Sequence, residues 1–265
     1  MSSSSEEPGQ PITGLRSGQV GENVFLCGDP ARVPRIAKGW SNVREVLNLR
    51  EYRVAVGERD GVRLAAASTG IGAPSTAILV EELAKIGVRR MIRVGNSGGL
   101  QPVLGLGDLV ITTGAVRDDG TSRSYVLPEY PAVADHAVVS ALVAAARARG
   151  LRHAVGVTWS LDAFYARNAV LDADGQIAPM SFEGYRAPEL AERIVQMRAA
   201  RVQNCEMESG ILLTLAGLFG LQAGCICVVS DRAPWPGPAE LDIDKNMDAC
   251  IAVAADAMLA LVKAA

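Results

Sequence analysis

Six short apolar runs, at residues 24–27, 63–68, 91–94, 109–112, 155–159 and 225–229, recur along this chain between turn-forming residues. Runs of this length are short for buried helices, and their flanks and β-branched content fit buried strands. Helical patterns lie between several of them. Residues 75–86 (STAILVEELAKI) run into Gly87 and residues 136–149 run into Gly150, the residue type that best tolerates the left-handed turn closing a helix. Residues 247–263 place Met247, Cys250, Ile251, Ala254, Met258 and Leu261 on one face. This alternation predicts a single-domain α/β fold of three layers, α/β/α, around a largely parallel or mixed central sheet.

One stretch competes with that reading. Residues 209–230 (SGILLTLAGLFGLQAGCICVVS) carry no charge over 22 positions, enough to cross a bilayer. Gly217, Gly220, Gln222 and Gly224 interrupt it, which favours a buried helix to about Phe219, a turn over 220–224 and a strand ending at Val229. With 49% hydrophobic residues the chain can build a large core, and its net charge of -3 lacks the basic surplus of a nucleic-acid binder. Neither a nucleic acid nor a membrane is expected as a partner. The cations are 22 Arg and 4 Lys. The five Cys form no CxxC, and with only His136 and His153 there is no zinc-ligand spacing. Buried free thiols in a reducing compartment, the cytoplasm, are the expectation. Residues 1–9 (MSSSSEEPG) lack the basic and apolar regions of a secretion signal and read as a disordered tail before a domain at 10–265.

In open α/β sheets ligands bind beyond the carboxyl ends of the strands, so polar residues there are candidates for function. Gly28-Asp29-Pro30-Ala31-Arg32 follows the first run; it is either a plain turn or an anion site of backbone amides and a guanidinium fork. Residues 68–75 (STGIGAPS) lead into the next helix without a full GxGxxG pattern. Arg93 sits inside the apolar run of residues 91–94, before Gly95-Asn96-Ser97-Gly98-Gly99. A charge there needs an anionic partner, either a protein carboxylate or a ligand. Asn204-Cys205-Glu206-Met207-Glu208-Ser209 puts two carboxylates at a helix start, where they can serve the helix dipole or grip sugar hydroxyls. Val229-Ser230-Asp231-Arg232 ends a buried run with an acid and a base.

Taken in order, GDPxRV, REY, STGIGxPS, RxG-Asn-Ser-GG, GDLVITT, PAVAD, FY, EMES and a strand-end SDR resemble the nucleoside phosphorylase-I superfamily, nearest its uridine phosphorylase branch, from about Gln10 to the C-terminus. The resemblance implies pentosyl transfer from a nucleoside base to inorganic phosphate, with no organic cofactor. Gly28, Arg32, Arg93 and Asn96 match phosphate-binding positions, and Arg50 matches an arginine that reaches in from a neighbouring subunit. Glu206, Met207 and Glu208 match ribose-binding positions, and Phe164, with Arg167 and Asn168 nearby, the base site. Glu51, Ile71 and Ser75 match positions that hold a monovalent cation, K+, in some members. Catalysis falls to Arg93, Asp231 and Arg232, in a homo-oligomer of dimers assembled into a hexamer.

Departures from the branch concern recognition. Asn168 and Val170 stand where a uracil-reading Gln and Arg are usual, Ile12 replaces a ribose-contacting His, and Asn96 replaces a phosphate-binding Thr. Asp231 stands where the uridine branch has Asn; an Asp is the purine branch's proton donor. The pattern implies altered base recognition, with purine nucleosides favoured over uridine. A nucleosidase using water and a catalytically silent nucleoside-binding protein are the alternatives.

Overall fold

The computed structural model describes residues 8–236 and 241–264; most of the expected tail, residues 1–7, lies outside the described residues. The first elements are β1 (Asn23–Cys27), the short α1 (Arg32–Ile36), β2 (Ser41–Leu49), β3 (Tyr52–Arg59) and β4 (Val62–Ser68). α2 (Ala73–Lys85) leads to β5 (Arg90–Gly99) and β6 (Leu109–Asp118). Then come α3 (Gly120–Tyr125), β7 (Ala132–Val133), α4 (His136–Ala148), β8 (His153–Leu161) and α5 (Phe164–Arg167). A two-stranded ribbon, β9 (Ala169–Leu171) and β10 (Ile177–Pro179), precedes α6 (Leu190–Ala199) and β11 (Asn204–Glu206). α7 (Ser209–Phe219), β12 (Gln222–Arg232) and α8 (Met247–Lys263) follow.

The main sheet runs β11-β8-β6-β12-β5-β1-β4-β3-β2, with β7 on β6. β12, β5, β1 and β4 are parallel to one another, whereas β6 meets β12 antiparallel and β3 and β2 add an antiparallel edge, so the sheet is mixed. β11 pairs parallel with β8 and also antiparallel with the end of β5, through Asn204↔Gly99 and Cys205↔Gly98. Strands β5, β12, β6, β8 and β11 therefore close a ring, from which β1, β4, β3 and β2 extend as open sheet. Register shifts at Val229/Asp231 and Thr112/Gly114 supply the local bending that closure needs.

Apolar faces of helices cover both sides. On one side α1, α4 and α8 pack with Phe25, Ile92, Val94, Ile226 and Val228; on the other α2 and α7 pack with Leu26, Ala65 and Met91. α7 explains the uncharged stretch: every residue from Ser209 to Ala216 is buried, so a charge anywhere on that length would be desolvated. Among the described residues no helix is long and apolar enough to cross a membrane. The expected turn over 220–224 is shorter than its glycines imply. Gly220 alone, at φ 65°, reverses the chain, and β12 begins at Gln222. Gly224 lies within the strand because a Cβ there would sit 2.4 Å from the Val138 side chain of α4. β12 also runs past Val229, since the end of β5 continues to pair with it at Asp231 and Arg232. All five cysteines are free and buried.

Candidate active site

Ring closure and parallel pairing bring several strand ends to one place. A cavity of about 710 Å³ opens there, walled by Gly28 after β1, Gly70 and Ile71 after β4, Asn96–Gly98 of β5, Glu206–Glu208 around the end of β11, and Ser230 and Asp231 of β12. These segments are distant in sequence, and only the sheet order joins them.

Arg93 anchors the floor. Its Nε donates to Glu206 Oε2 at 2.9 Å and its Nη2 pairs with Glu208 Oε2, with all three side chains almost wholly buried. Gly95 makes room for this: a Cβ there would lie 2.8 Å from Arg93 Nη2. Glu206 accepts in addition from the backbone N–H groups of Glu208 and Ser209 at 2.9 Å and from the Ser209 hydroxyl at 2.5 Å, which fixes it as the carboxylate at the start of α7. Glu208 Oε1 accepts from the Gly72 N–H at 2.6 Å, tying β11 to the turn before α2. Burial opposes the Arg93 charge, but Glu208 and Glu206 more than offset it and hold the guanidinium firmly protonated. Burial raises the Glu208 carboxyl above the ordinary range, with Arg93 pulling it back and Glu206 pushing it up. Two buried atoms here have no protein partner: Arg93 Nη1, a donor, and Asn96 Oδ1, an acceptor. A ligand offering both acceptor and donor oxygens completes them.

Arg32 brings a second cation to the same wall, its Nη1 3.4 Å from the Val94 carbonyl. Apolar side chains share the wall. Phe164 stacks edge-on with Trp235, centroids 6.4 Å apart, and lines the cavity together with Leu161, Met207, Leu241 and Ile243. Further polar groups of the wall are Asn168, whose Oδ1 accepts from the Cys205 thiol at 3.8 Å, and Asp231, whose Oδ1 accepts from the Ser230 hydroxyl at 2.8 Å. Burial raises the Asp231 carboxyl, and the Ser230 hydroxyl and Trp235 indole draw it part of the way back.

The cavity wall thus gathers Gly28, Arg32, Arg93, Asn96, Phe164 and Asn168, and with them Glu206, Met207, Glu208, Asp231, Glu51 and Ile71. Other expected residues stand elsewhere. Arg167 points to Asp118, 3.8 Å away, and donates to the Pro188 carbonyl; Arg232 is exposed and outside the wall. Arg50 is exposed at the tip of the β2–β3 hairpin with φ 56°. Ser75 Oγ donates to the Ile71 and Gly72 carbonyls at 3.3 Å, just behind the wall. Val170 bridges to Trp235, and the Ile12 N–H is held by Glu82 Oε1 at 2.9 Å. Among the described residues no cluster of three or more His, Cys, Asp or Glu is placed to hold a metal ion. Sequence reasoning missed the Gly72 amide and Cys205, which only pairing brings inward, and Leu241 and Ile243, whose polar neighbours hide them.

The chain is similar to known proteins over most of its length. The family model of the phosphorylase superfamily matches residues 23–265. A uridine phosphorylase of Thermococcus kodakarensis is 47% identical over 225 residues, 84% of this chain and 78% of that protein. One of Haemophilus influenzae is 39% identical over 240 residues, covering 90% and 92%. A guanosine phosphorylase of Halorubrum lacusprofundi is 37% identical over 220 residues, covering 83% and 82%. The crystal structure of uridine phosphorylase from Vibrio fischeri superposes with a TM-score of 0.81 at 30% identity, covering 98% of this chain and 99% of that one. The chain belongs to the phosphorylase superfamily and is an enzyme of its nucleoside phosphorylase kind, a pentosyltransferase.

Proposed function

We propose that the protein cleaves the N-glycosidic bond of a nucleoside with inorganic phosphate, giving the free base and a pentose 1-phosphate, and that it favours purine nucleosides over uridine. The observation that carries the phosphate part is the buried Arg93, held between Glu206 and Glu208 with Nη1 unpartnered, in a wall that also holds Arg32 and Asn96. A phosphate oxygen adds to the anomeric carbon as the carbon–nitrogen bond breaks and its electron pair leaves with the base. Arginines suit this role because they orient the dianion without taking its proton. Glu208 accepts from the sugar hydroxyls and Met207 packs against the sugar, so that positioning and electrostatics lower the barrier.

Asp231 supports the purine preference. Burial raises its carboxyl and so favours the protonated form, the form that can hand a proton to a ring nitrogen of the departing base. Phe164 offers a ring to stack on, and Asn168 an amide for the base edge. The guanosine phosphorylase relative fits the same reading.

Charge supports an oligomer. Arg32 and Arg93 share the wall with the carboxylates of Asp29, Glu51, Glu206, Glu208 and Asp231, so a dianion needs a further cation. The exposed Arg50 of a second subunit supplies it, in dimers that assemble further. Glu51, the Ile71 carbonyl and Ser75 lie together around Gly70 and offer oxygens to a K+ ion between subunits. Five buried free thiols fit residence in the cytoplasm.

The test is a panel of uridine, inosine, guanosine and adenosine incubated with and without phosphate. Phosphate-dependent base release, fastest for a purine nucleoside, is expected. Release at the same rate without phosphate overturns phosphorolysis, and uridine turning over fastest overturns the base preference.

A further inference from the structure

The residues that follow β12 carry two of the cavity's apolar side chains, Leu241 and Ile243, each about half exposed at 51%. The Asp242 N–H donates to the Ser230 carbonyl at 2.8 Å, so this stretch lies directly against the strand end that carries Asp231. Asn246 Nδ2 holds its far end to the Gly107 carbonyl at 2.9 Å. Two aspartates, Asp244 between these anchors and Asp248 in the first turn of α8, reach to one residue. Arg35 Nη1 lies 2.5 Å from Asp244 Oδ1, and Arg35 Nε lies 2.5 Å from Asp248 Oδ1. Arg35 belongs to α1, whose first residue is Arg32, one helical turn away in the cavity wall. One five-residue helix therefore reaches the cavity wall with Arg32 and, with Arg35, grips Asp244 in the stretch that carries Leu241 and Ile243.

We propose that Arg35 is a positioning residue: by clamping Asp244 and Asp248 it sets Leu241 and Ile243 over the cavity and so tightens nucleoside binding. The direction of charge perturbation agrees, since the Asp248 carboxyl is held below its ordinary range by Arg35. Arginine is suited to the task, as its planar fork serves two carboxylates at once while a lysine ammonium is a single point charge. Both aspartates are largely solvent-exposed, at 73% and 77%, so each pair is screened and individually weak. That makes the clamp one that can open for substrate entry and product release, and one that salt loosens.

The kinetic part rests on the phosphorolysis proposed above, and a second readout keeps the two apart. Arg35→Gln is expected to raise the nucleoside KM roughly five- to tenfold at saturating phosphate, with kcat changed less than about twofold. Arg35→Lys recovers part of that loss, and Asp244→Asn/Asp248→Asn reproduces it without adding to Arg35→Gln. Rising salt moves the wild-type KM towards that of Arg35→Gln, whose own KM responds less. Hydrogen exchange of residues 241–246 in the unliganded protein, which needs no turnover, is expected to speed up in Arg35→Gln. An unchanged KM, a loss confined to kcat, or additive effects of the aspartate pair and Arg35→Gln would overturn the positioning role. Unchanged exchange would overturn the clamp itself, whereas absence of phosphorolysis in the wild type with faster exchange in the variant refutes only the proposed reaction and leaves the clamp standing.

Discussion

Replacing Arg93 with methionine deletes a buried cation and leaves Glu206 and Glu208 facing each other without it. The Arg93 side chain is 5% exposed and those of Glu206 and Glu208 are 1% and 5%, so water does little to screen what remains. Breaking a buried pair by removing one partner costs about 3–5 kcal/mol, because an uncompensated charge stays behind. Glu206 keeps its three donors from Glu208 and Ser209, which limits its share. Glu208 keeps only the Gly72 N–H and the neighbouring backbone, so it bears most of the penalty. For a chain of this size that energy lowers the thermal midpoint by about 6–20 °C. The penalty depends on pH, with a sign fixed by linkage. Glu208 already has a raised folded pKa, and losing Arg93, which pulls it down, raises it further. A carboxyl raised on folding contributes stability below its unfolded pKa and loses that contribution as pH rises through the folded value. Destabilisation is therefore smaller at about pH 5 than at about pH 8. Thermal unfolding of wild type and Arg93→Met at equal protein concentration, at both pH values, reads this directly. A loss under about 1 kcal/mol, or one equal at the two pH values, would refute the argument that Arg93 neutralises buried carboxylates. Phosphate-dependent turnover is expected to fall by at least about 10²–10³ in the same variant, the cost of deleting a preorganised charge donor.

Asp231→Asn keeps the shape but removes the transferable proton, so purine nucleoside cleavage is expected to fall more than uridine cleavage; equal losses would count against a proton donor. Because burial raises the Asp231 carboxyl, wild-type purine cleavage is expected to decline as pH rises through that raised value, and a flat profile in Asp231→Asn would attribute the decline to this group. Co-expressing Arg50→Ala with Arg93→Met subunits is expected to restore turnover that neither has alone, since a mixed interface rebuilds one intact site; no recovery would refute the shared arginine. Thiol reagents are expected to leave all five cysteines unlabelled in the native protein and to label them on unfolding, as burial raises Cys27 to about 12 and denies access to the rest. Rapid native labelling would contradict that.

Strands β1, β4, β5, β6, β8 and β12, and helices α2, α4, α7 and α8, were legible because each leaves a local imprint: a short apolar run, a 3.6-residue period, or a glycine at the helix end. β2 left none. Its mostly exposed, charged pattern at the sheet edge carries neither alternation nor an apolar run, and only pairing with β3 makes it a strand. β11 is three residues long, and its place between β8 and β5 depends on contacts with strands more than 40 positions earlier in the chain. Ring closure is therefore a property of register, which no single segment encodes.

The site divides the same way. The sequence alone determined that Arg93, set in an apolar strand, must meet negative charge, since desolvation forbids leaving it bare. It left open whether a protein carboxylate or a ligand meets it. The tertiary structure puts Glu206 and Glu208 on two of its nitrogens and leaves Nη1 unpartnered by protein. It also decided which arginines serve the cavity: Arg32 and Arg93 enter the wall, while Arg167 is drawn off to Asp118. Residue type and local spacing fix which groups must be satisfied. Only the three-dimensional path of the chain fixes which partners are near enough to satisfy them, because a hydrogen bond needs its donor and acceptor within about 3.5 Å.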